Sequence, residues 1–138
     1  MHIVPYLHFG GNAEAALTRY AQIFGGQVEM MMRWSEAPPD MAAPADFQDK
    51  VMHASVDLGG ARLMASDQPP DHFVPPQGVS ISIDLPDLGR ARAAFDALAD
   101  GGQVLMAFAP TFWSKGFGMV IDRFGAQWMV SADAAEAS

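Results

Sequence analysis

One stretch of this chain occurs twice. The segment K-V-M-H-A-S-V-D-L-G-G-A-R-L-M-A-S begins at Lys50, and K-G-F-G-M-V-I-D-R-F-G-A-Q-W-M-V-S begins at Lys115. At a constant offset of 65, Lys50, Asp57, Gly60, Ala61, Met64 and Ser66 meet Lys115, Asp122, Gly125, Ala126, Met129 and Ser131. A repeat of this kind constrains the architecture before any single segment is assigned, because both copies must fold alike. In each copy an apolar run reaches Asp, turns through a short segment ending in Gly and resumes as a second apolar run, the pattern of a β-hairpin. Upstream the offset grows to about 75: Asn12 meets Asp87, Val28 meets Val104, and Gly25-Gly26 falls near Gly101-Gly102.

The first half is predicted to open with a strand over residues 4–9. Asn12 then offers a side-chain oxygen to cap a helix over 13–24. Leu17, Tyr20, Ala21 and Phe24 recur at the spacing of one helical face, and the glycine pair supplies the stop. In the second half a strand over 79–85 leads to Asp87 as the cap. Ala91, Ala94, Phe95 and Leu98 repeat the spacing, and Gly101-Gly102 end the helix. A further strand follows each helix, over 27–33 and 103–108, before the hairpin. The order in both halves is β-α-β-β-β. The first half carries about ten extra residues, placed in a Pro- and Ala-rich surface loop over 35–48. The expected organisation is one α+β domain over 1–138: a module over about 1–67, a Pro-rich linker over 68–78, a second module over 79–131 and a frayed tail over 132–138.

Hydrophobic residues make up 50% of the chain and charged ones only 17%, below the roughly 25% usual for globular proteins. A surface so poor in charge implies a covering second subunit, hence a homodimer. The formal charge of -8 and the lack of a Lys/Arg cluster argue against nucleic acid. No apolar run approaches the roughly 20 residues that cross a bilayer, and the start lacks the features of a signal peptide. A cytoplasmic protein without membrane contact is the expectation. With no cysteine, disulfides, thiolate metal sites and cysteine nucleophiles are excluded. There is no G-x-S-x-G elbow, no P-loop and no strand followed by G-x-G-x-x-G, so the usual nucleotide-cofactor motifs are missing.

The paired β-α-β-β-β order, the opening P-Y-L-H-F-G-G-N and the late D-R-F-G-A-Q-W-M-V resemble the vicinal oxygen chelate superfamily, which includes glyoxalase I, bleomycin resistance proteins and extradiol dioxygenases. Y-A-Q-I-F-G-G, D-K-V-M-H-A, S-D-Q-P-P and F-W-S-K-G-F-G-M-V-I-D-R-F-G resemble its PhnB-like branch. The likeness runs from Pro5 to Val130. It implies two modules curled into a half-open, barrel-like sheet around a central cavity, the glyoxalase/bleomycin-resistance/dioxygenase fold. PhnB-like proteins are sometimes labelled 3-demethylubiquinone 3-methyltransferases. A methyltransferase of the common type needs a larger doubly wound sheet with a Gly-rich turn, which two hairpin units do not supply.

Metal-dependent members of the superfamily carry one ligand on the first and one on the last strand of each module. Carried over, the resemblance places these at Pro5, Met64, Ser80 and Met129, and none is a good ligand for a hard divalent ion. No metal and no cofactor are therefore expected. Tyr6 and His8 share one face of their strand, with Leu7 and Phe9 on the other. His8 either points into the cavity or is satisfied at the sheet rim. His53, with Ser55 as its one polar neighbour on that face, reads more readily as a structural histidine. Phe108, Phe112, Trp113 and Phe117 form either a lid or core, core being the commoner fate of such rings. The methionines Met30, Met31, Met32, Met52, Met64, Met106, Met119 and Met129 suit an adaptable ligand surface or an irregular core equally.

The leading reading is a homodimeric binding protein for a small, mostly apolar ligand, with Tyr6, His8, His53, Met64, Trp113 and Met129 as the cavity wall. One rival is a glyoxalase- or dioxygenase-like enzyme whose metal is held by His8, His53 and acidic or water ligands. Another is an interaction module with a vestigial pocket.

Overall fold

The computed structural model describes residues 1–41 and 43–132, divided into two compact units, Met1–Pro75 and Pro76–Ser138.

In the first unit the elements are β1 (Tyr6–Phe9), α1 (Ala13–Phe24), β2 (Gln27–Arg33), β3 (Val51–Asp57) and β4 (Arg62–Asp67). They make a four-stranded mixed sheet in the order β1-β4-β3-β2, in which β1 runs parallel to β4 and the other pairs are antiparallel. Strand β1 begins at Tyr6, two residues later than expected. Pro5 has no N–H to give the ladder; its carbonyl still accepts from Met64 N at 3.0 Å. One side of the sheet faces α1, where Ala16, Leu17, Tyr20 and Phe24 are buried against Phe9, Ala54, Val56, Leu63 and Ala65. Burying side chains of this size contributes about 2 kcal/mol for each large one.

Asn12 does not cap α1: its side chain makes no capping hydrogen bond. The fully buried carboxylate of Asp67, at the end of β4, takes that place. Its Oδ1 accepts from Gly11 N and Ala13 N, both at 2.9 Å, and its Oδ2 accepts from Val51 N at 2.9 Å. A carboxylate there also meets the positive end of the helix dipole. At the other end Gly25 adopts φ 74°, the left-handed conformation, and a Cβ on Gly26 would strike the Asp57 carbonyl. The two glycines thus serve different purposes, one conformational and one steric.

The 35–48 stretch is less featureless than expected. It holds short 3-10 turns at Trp34–Glu36, Pro39–Met41 and Ala45–Phe47. Phe47 is buried, and backbone bonds from Trp34 N to Lys50 O and Ser35 N to Gln48 O, both 2.9 Å, close the base.

The second unit holds β5 (Ile81–Leu85), α2 (Leu88–Ala99), β6 (Gln103–Ala109), β7 (Phe117–Ile121) and β8 (Gln127–Ala132). The sheet order β5-β8-β7-β6 is the first unit's order again, with β5 parallel to β8. The register of β2 on β3 shifts between Val28 and Met30, and that of β6 on β7 between Val104 and Met106. Here Asp87 does cap its helix, Oδ1 accepting from Gly89 N at 2.8 Å and Arg90 N at 3.4 Å. Gly101 (φ 76°) and Gly102, whose added Cβ would meet Ile121 O, reproduce the division of labour seen at Gly25-Gly26. Strand β5 starts at Ile81, opposite Trp128, because nothing in the ladder pairs with residues 79 and 80. Ala132 is a buried residue of β8, not tail; the rest of the expected tail, 133–138, lies outside the described residues. Among the described residues no helix is long and apolar enough to cross a membrane.

Candidate functional site

The face of the first sheet turned away from α1 is where the chemically active side chains collect. Strand pairing sets Tyr6 opposite Met64 and His8 opposite Ser66, then Met64 opposite Ser55, and finally Ser55 opposite Met30 and His53 opposite Met32. Residues directly opposite share a face, so β1, β4, β3 and β2 together present a phenol, two imidazoles, two serine hydroxyls and three thioethers. Tyr6 Oη lies 2.9 Å from His53 Nδ1, with the two rings stacked at 5.6 Å and 21°. The His8 ring sits 5.2 Å from that of Tyr6 on the other side. When the phenol donates to Nδ1, the imidazole presents Nε2–H outward.

Tyr6 is 40% and Met30 42% exposed, whereas His53, Met32 and Met64 are half-buried. Ser55 and Ser66 are buried at the floor, and Gln68 Nε2 donates to Ser66 Oγ at 2.9 Å. At one margin Arg62 pairs with Glu29, Nε to Oε1 at 2.8 Å, which holds the guanidinium above its ordinary pKa. This face therefore offers a hydrogen-bonding dyad set in polarizable, flexible side chains, a surface suited to a partly apolar ligand.

The open face of the second sheet is poorer in polar groups. Ser82 lies opposite Met129, and Asp84 opposite Ser131; Met119 lies between Met129 and Met106. Trp113 is 45% exposed and packs edge-on to Phe117 at 5.4 Å. The aromatic cluster divides: Phe108 and Phe117 are core, while Phe112 is 91% exposed.

Of the six expected wall residues, Tyr6, His8, His53 and Met64 come together on one face, and Met129 and Trp113 belong to the second unit. The Tyr6–His53 bond escaped sequence reading, because the partners are 47 residues apart and meet only if β4 lies between β1 and β3. The first-strand positions facing the two methionines are also corrected. They are Tyr6 and Ser82, not Pro5 and Ser80, since those are the register partners of Met64 and Met129. Phenol, hydroxyl and thioethers remain a poor set for a hard divalent ion. Among the described residues no three His, Cys, Asp or Glu side chains gather as a group able to hold a metal.

Comparison with known proteins bears on what this arrangement is. Residues 1–131 match the family model described as 3-demethylubiquinone-9 3-methyltransferase. Protein YjdN of Escherichia coli (strain K12) is 32% identical over 139 residues, covering 95% of each chain. The crystal structure of protein PA1353 from Pseudomonas aeruginosa superposes with a TM-score of 0.87 at 43% identity, covering 96% of this chain and 98% of that one. The PhnB protein from Bacillus cereus does so with a TM-score of 0.78 at 27% identity over 96% and 99%. A glyoxalase/bleomycin resistance protein/dioxygenase family enzyme from Burkholderia phytofirmans, at 14% identity and a TM-score of 0.60 over 92% and 95%, shares the fold. The chain belongs to the family described as 3-demethylubiquinone-9 3-methyltransferase and is similar over nearly its whole length to a PhnB protein.

Proposed function

We propose that this protein is a homodimeric, cytoplasmic small-molecule-binding protein in which the open sheet faces hold a small, mostly apolar ligand without a metal ion. The observation that carries the reading is the Tyr6–His53 hydrogen bond, 2.9 Å long and solvent-accessible, in the middle of a thioether-lined face. A dyad already paired in this way is poised to offer one directed N–H to a ligand while the methionines adapt to its apolar remainder. His8 lies beside Tyr6 on the same face, with 5.2 Å between the ring centroids. Tyr6, His8, His53 and Met64 are the binding residues of the first unit, and Trp113 and Met129 those of the second.

Methyl transfer, which the family description names, fits the architecture less well. Each unit is a four-stranded mixed sheet with one helix, whereas methyl transfer of the common type uses a doubly wound sheet with a Gly-rich cofactor turn. Exposed apolar side chains on β6, Val104, Leu105 and Met106, support the homodimer. This strand is the edge of its sheet, with unpaired backbone groups as well as apolar side chains for a second copy.

The test is native mass spectrometry of protein purified from its own host, with elemental analysis of the same sample. The expected outcome is a retained organic ligand that is lost from Tyr6→Phe and His53→Ala, with no stoichiometric metal. Stoichiometric Zn, Ni, Mn or Fe released by His8→Ala instead establishes the metal-dependent enzyme and overturns the proposal.

A further inference from the structure

A second cleft lies in the Pro76–Ser138 unit, on the side of the sheet that carries α2. Leu88, Gly89 and Arg92 of α2, Phe108, Ala109 and Pro110 at the end of β6, and Lys115 before β7 enclose about 360 Å³, within the range of ligand pockets. The floor is apolar: Phe108 is buried against Phe95 at 5.6 Å, and Leu88 is 45% exposed. The charge is all of one sign, from Arg92 and Lys115, and no carboxylate lines the space.

The corresponding place in the Met1–Pro75 unit shows what has changed. Its cleft of about 460 Å³ is lined by Gly11, Glu14, Arg33, Ser35, Asp49, Lys50, Val51 and Asp67. There Arg33 closes onto Glu14 at 2.9 Å, and this pairing lowers the Glu14 pKa and raises that of Arg33. In the repeat alignment Lys50 corresponds to Lys115, while Glu14 and Arg33 fall at Gly89 and Ala109. The second unit has therefore kept the lysine and lost the ion pair that filled the space beside it. Among the described residues no carboxylate pairs with Lys115.

We propose that this cleft is a binding site for a small amphipathic monocarboxylate, its hydrocarbon part on Leu88, Phe108 and Pro110 and its carboxylate between Lys115 and Arg92. Arg92 is held in place for this. Its guanidinium stands 5.7 Å over the Phe108 ring, Nη1 donates to Phe108 O at 3.3 Å, and Nε lies 3.7 Å from Asp96 Oδ2. The remaining N–H groups of its fork stay available to an acceptor. A single negative charge fits better than a phosphate. The α2 N–H groups that would receive a phosphate, Gly89 N and Arg90 N, are taken by the Asp87 carboxylate, whose own charge repels a dianion.

The site is tested by amide NMR titration of the full chain with hexanoate, and with hexanamide as its uncharged counterpart. Hexanoate is expected to give saturable shifts at Leu88, Gly89, Ala109 and Lys115. Lys115→Ala should weaken it about fivefold, as for removal of one exposed charge pair, Lys115→Glu should weaken it further, and hexanamide should bind more weakly than either variant binds hexanoate. Lys115 is exposed, so these variants fold, as an unchanged far-ultraviolet circular dichroism spectrum would confirm. Hexanamide binding as tightly as hexanoate, shifts confined to the Tyr6–His53 face, no saturable shifts at all, or an unchanged titration in Lys115→Glu each overturn the proposal.

Discussion

Asp67 shows how much one side chain can organise. Its carboxylate is fully buried and satisfied by three backbone N–H groups from Gly11, Ala13 and Val51. The repeat places Ala132 at the corresponding position, and the second unit makes its tie with a different residue. The single Ser114 hydroxyl proton is shared between Gly116 O at 2.7 Å and Ala132 O at 2.9 Å. Aligned residues diverge in the other direction too. Asp57 is a turn residue whose carboxyl, accepting from Gly60 N and Gly59 N, is held below the usual carboxylate range. Asp122 is buried and accepts from Phe124 N, Ala126 N and Trp128 Nε1. Removing the Asp67 carboxylate strands three donors, so Asp67→Ala should cost about 3 kcal/mol or more in urea unfolding. Asp67→Asn, which keeps one acceptor oxygen, should cost on the order of 1–2 kcal/mol. If Asp67→Ala unfolds at the same urea concentration as the parent, the carboxylate contributes nothing net. Little of this was legible beforehand. Asn12 carries the chemistry of a cap, and only the folded sheet reveals that a carboxylate 55 residues later accepts from the amides flanking Asn12 instead.

At the scale of elements, the two helices and the strands lie close to where periodicity puts them, since one face of each is an unambiguous apolar stripe. The misplacements share a cause. β1 starts at Tyr6 and β5 at Ile81, where their parallel ladders with β4 and β8 begin, and partner identity is invisible in a linear pattern. The 35–48 stretch reads as a loop from its prolines and alanines, yet Phe47 anchors it in the core. The glycine pairs were legible as stops but not as close approaches. Gly26→Ala and Gly102→Ala should each destabilise by about 2 kcal/mol or more, since a backbone carbonyl has to move to admit the methyl group. Thermal unfolding measures this, and a Gly26→Ala melting point equal to the parent's would show that the β3 turn yields freely.

For the molecule as a whole, the proposed homodimer rests on β6, one of several places where large apolar side chains are exposed. Val104, Leu105 and Met106 are 48%, 45% and 46% exposed on an edge strand. If the proposed homodimer forms through β6, Leu105→Glu should give a single-copy species in sedimentation velocity; a protein already monomeric before the substitution would refute the dimer. The candidate site was only half legible at this scale. Which residues share the Tyr6 face follows from alternation, but the meeting of Tyr6 with His53 depends on sheet order, which hairpin patterns leave open. The buried Asp67 tie also governs how the first unit comes apart. The turn after β1 at Gly11, the first residue of α1 and the first residue of β3 donate their amides to a single carboxylate, so none can fray alone. Deuterium reaching any one of those three amides implies that it reaches the other two in the same event, giving this unit an all-or-none opening where a longer chain of separate caps would let it unravel from its ends.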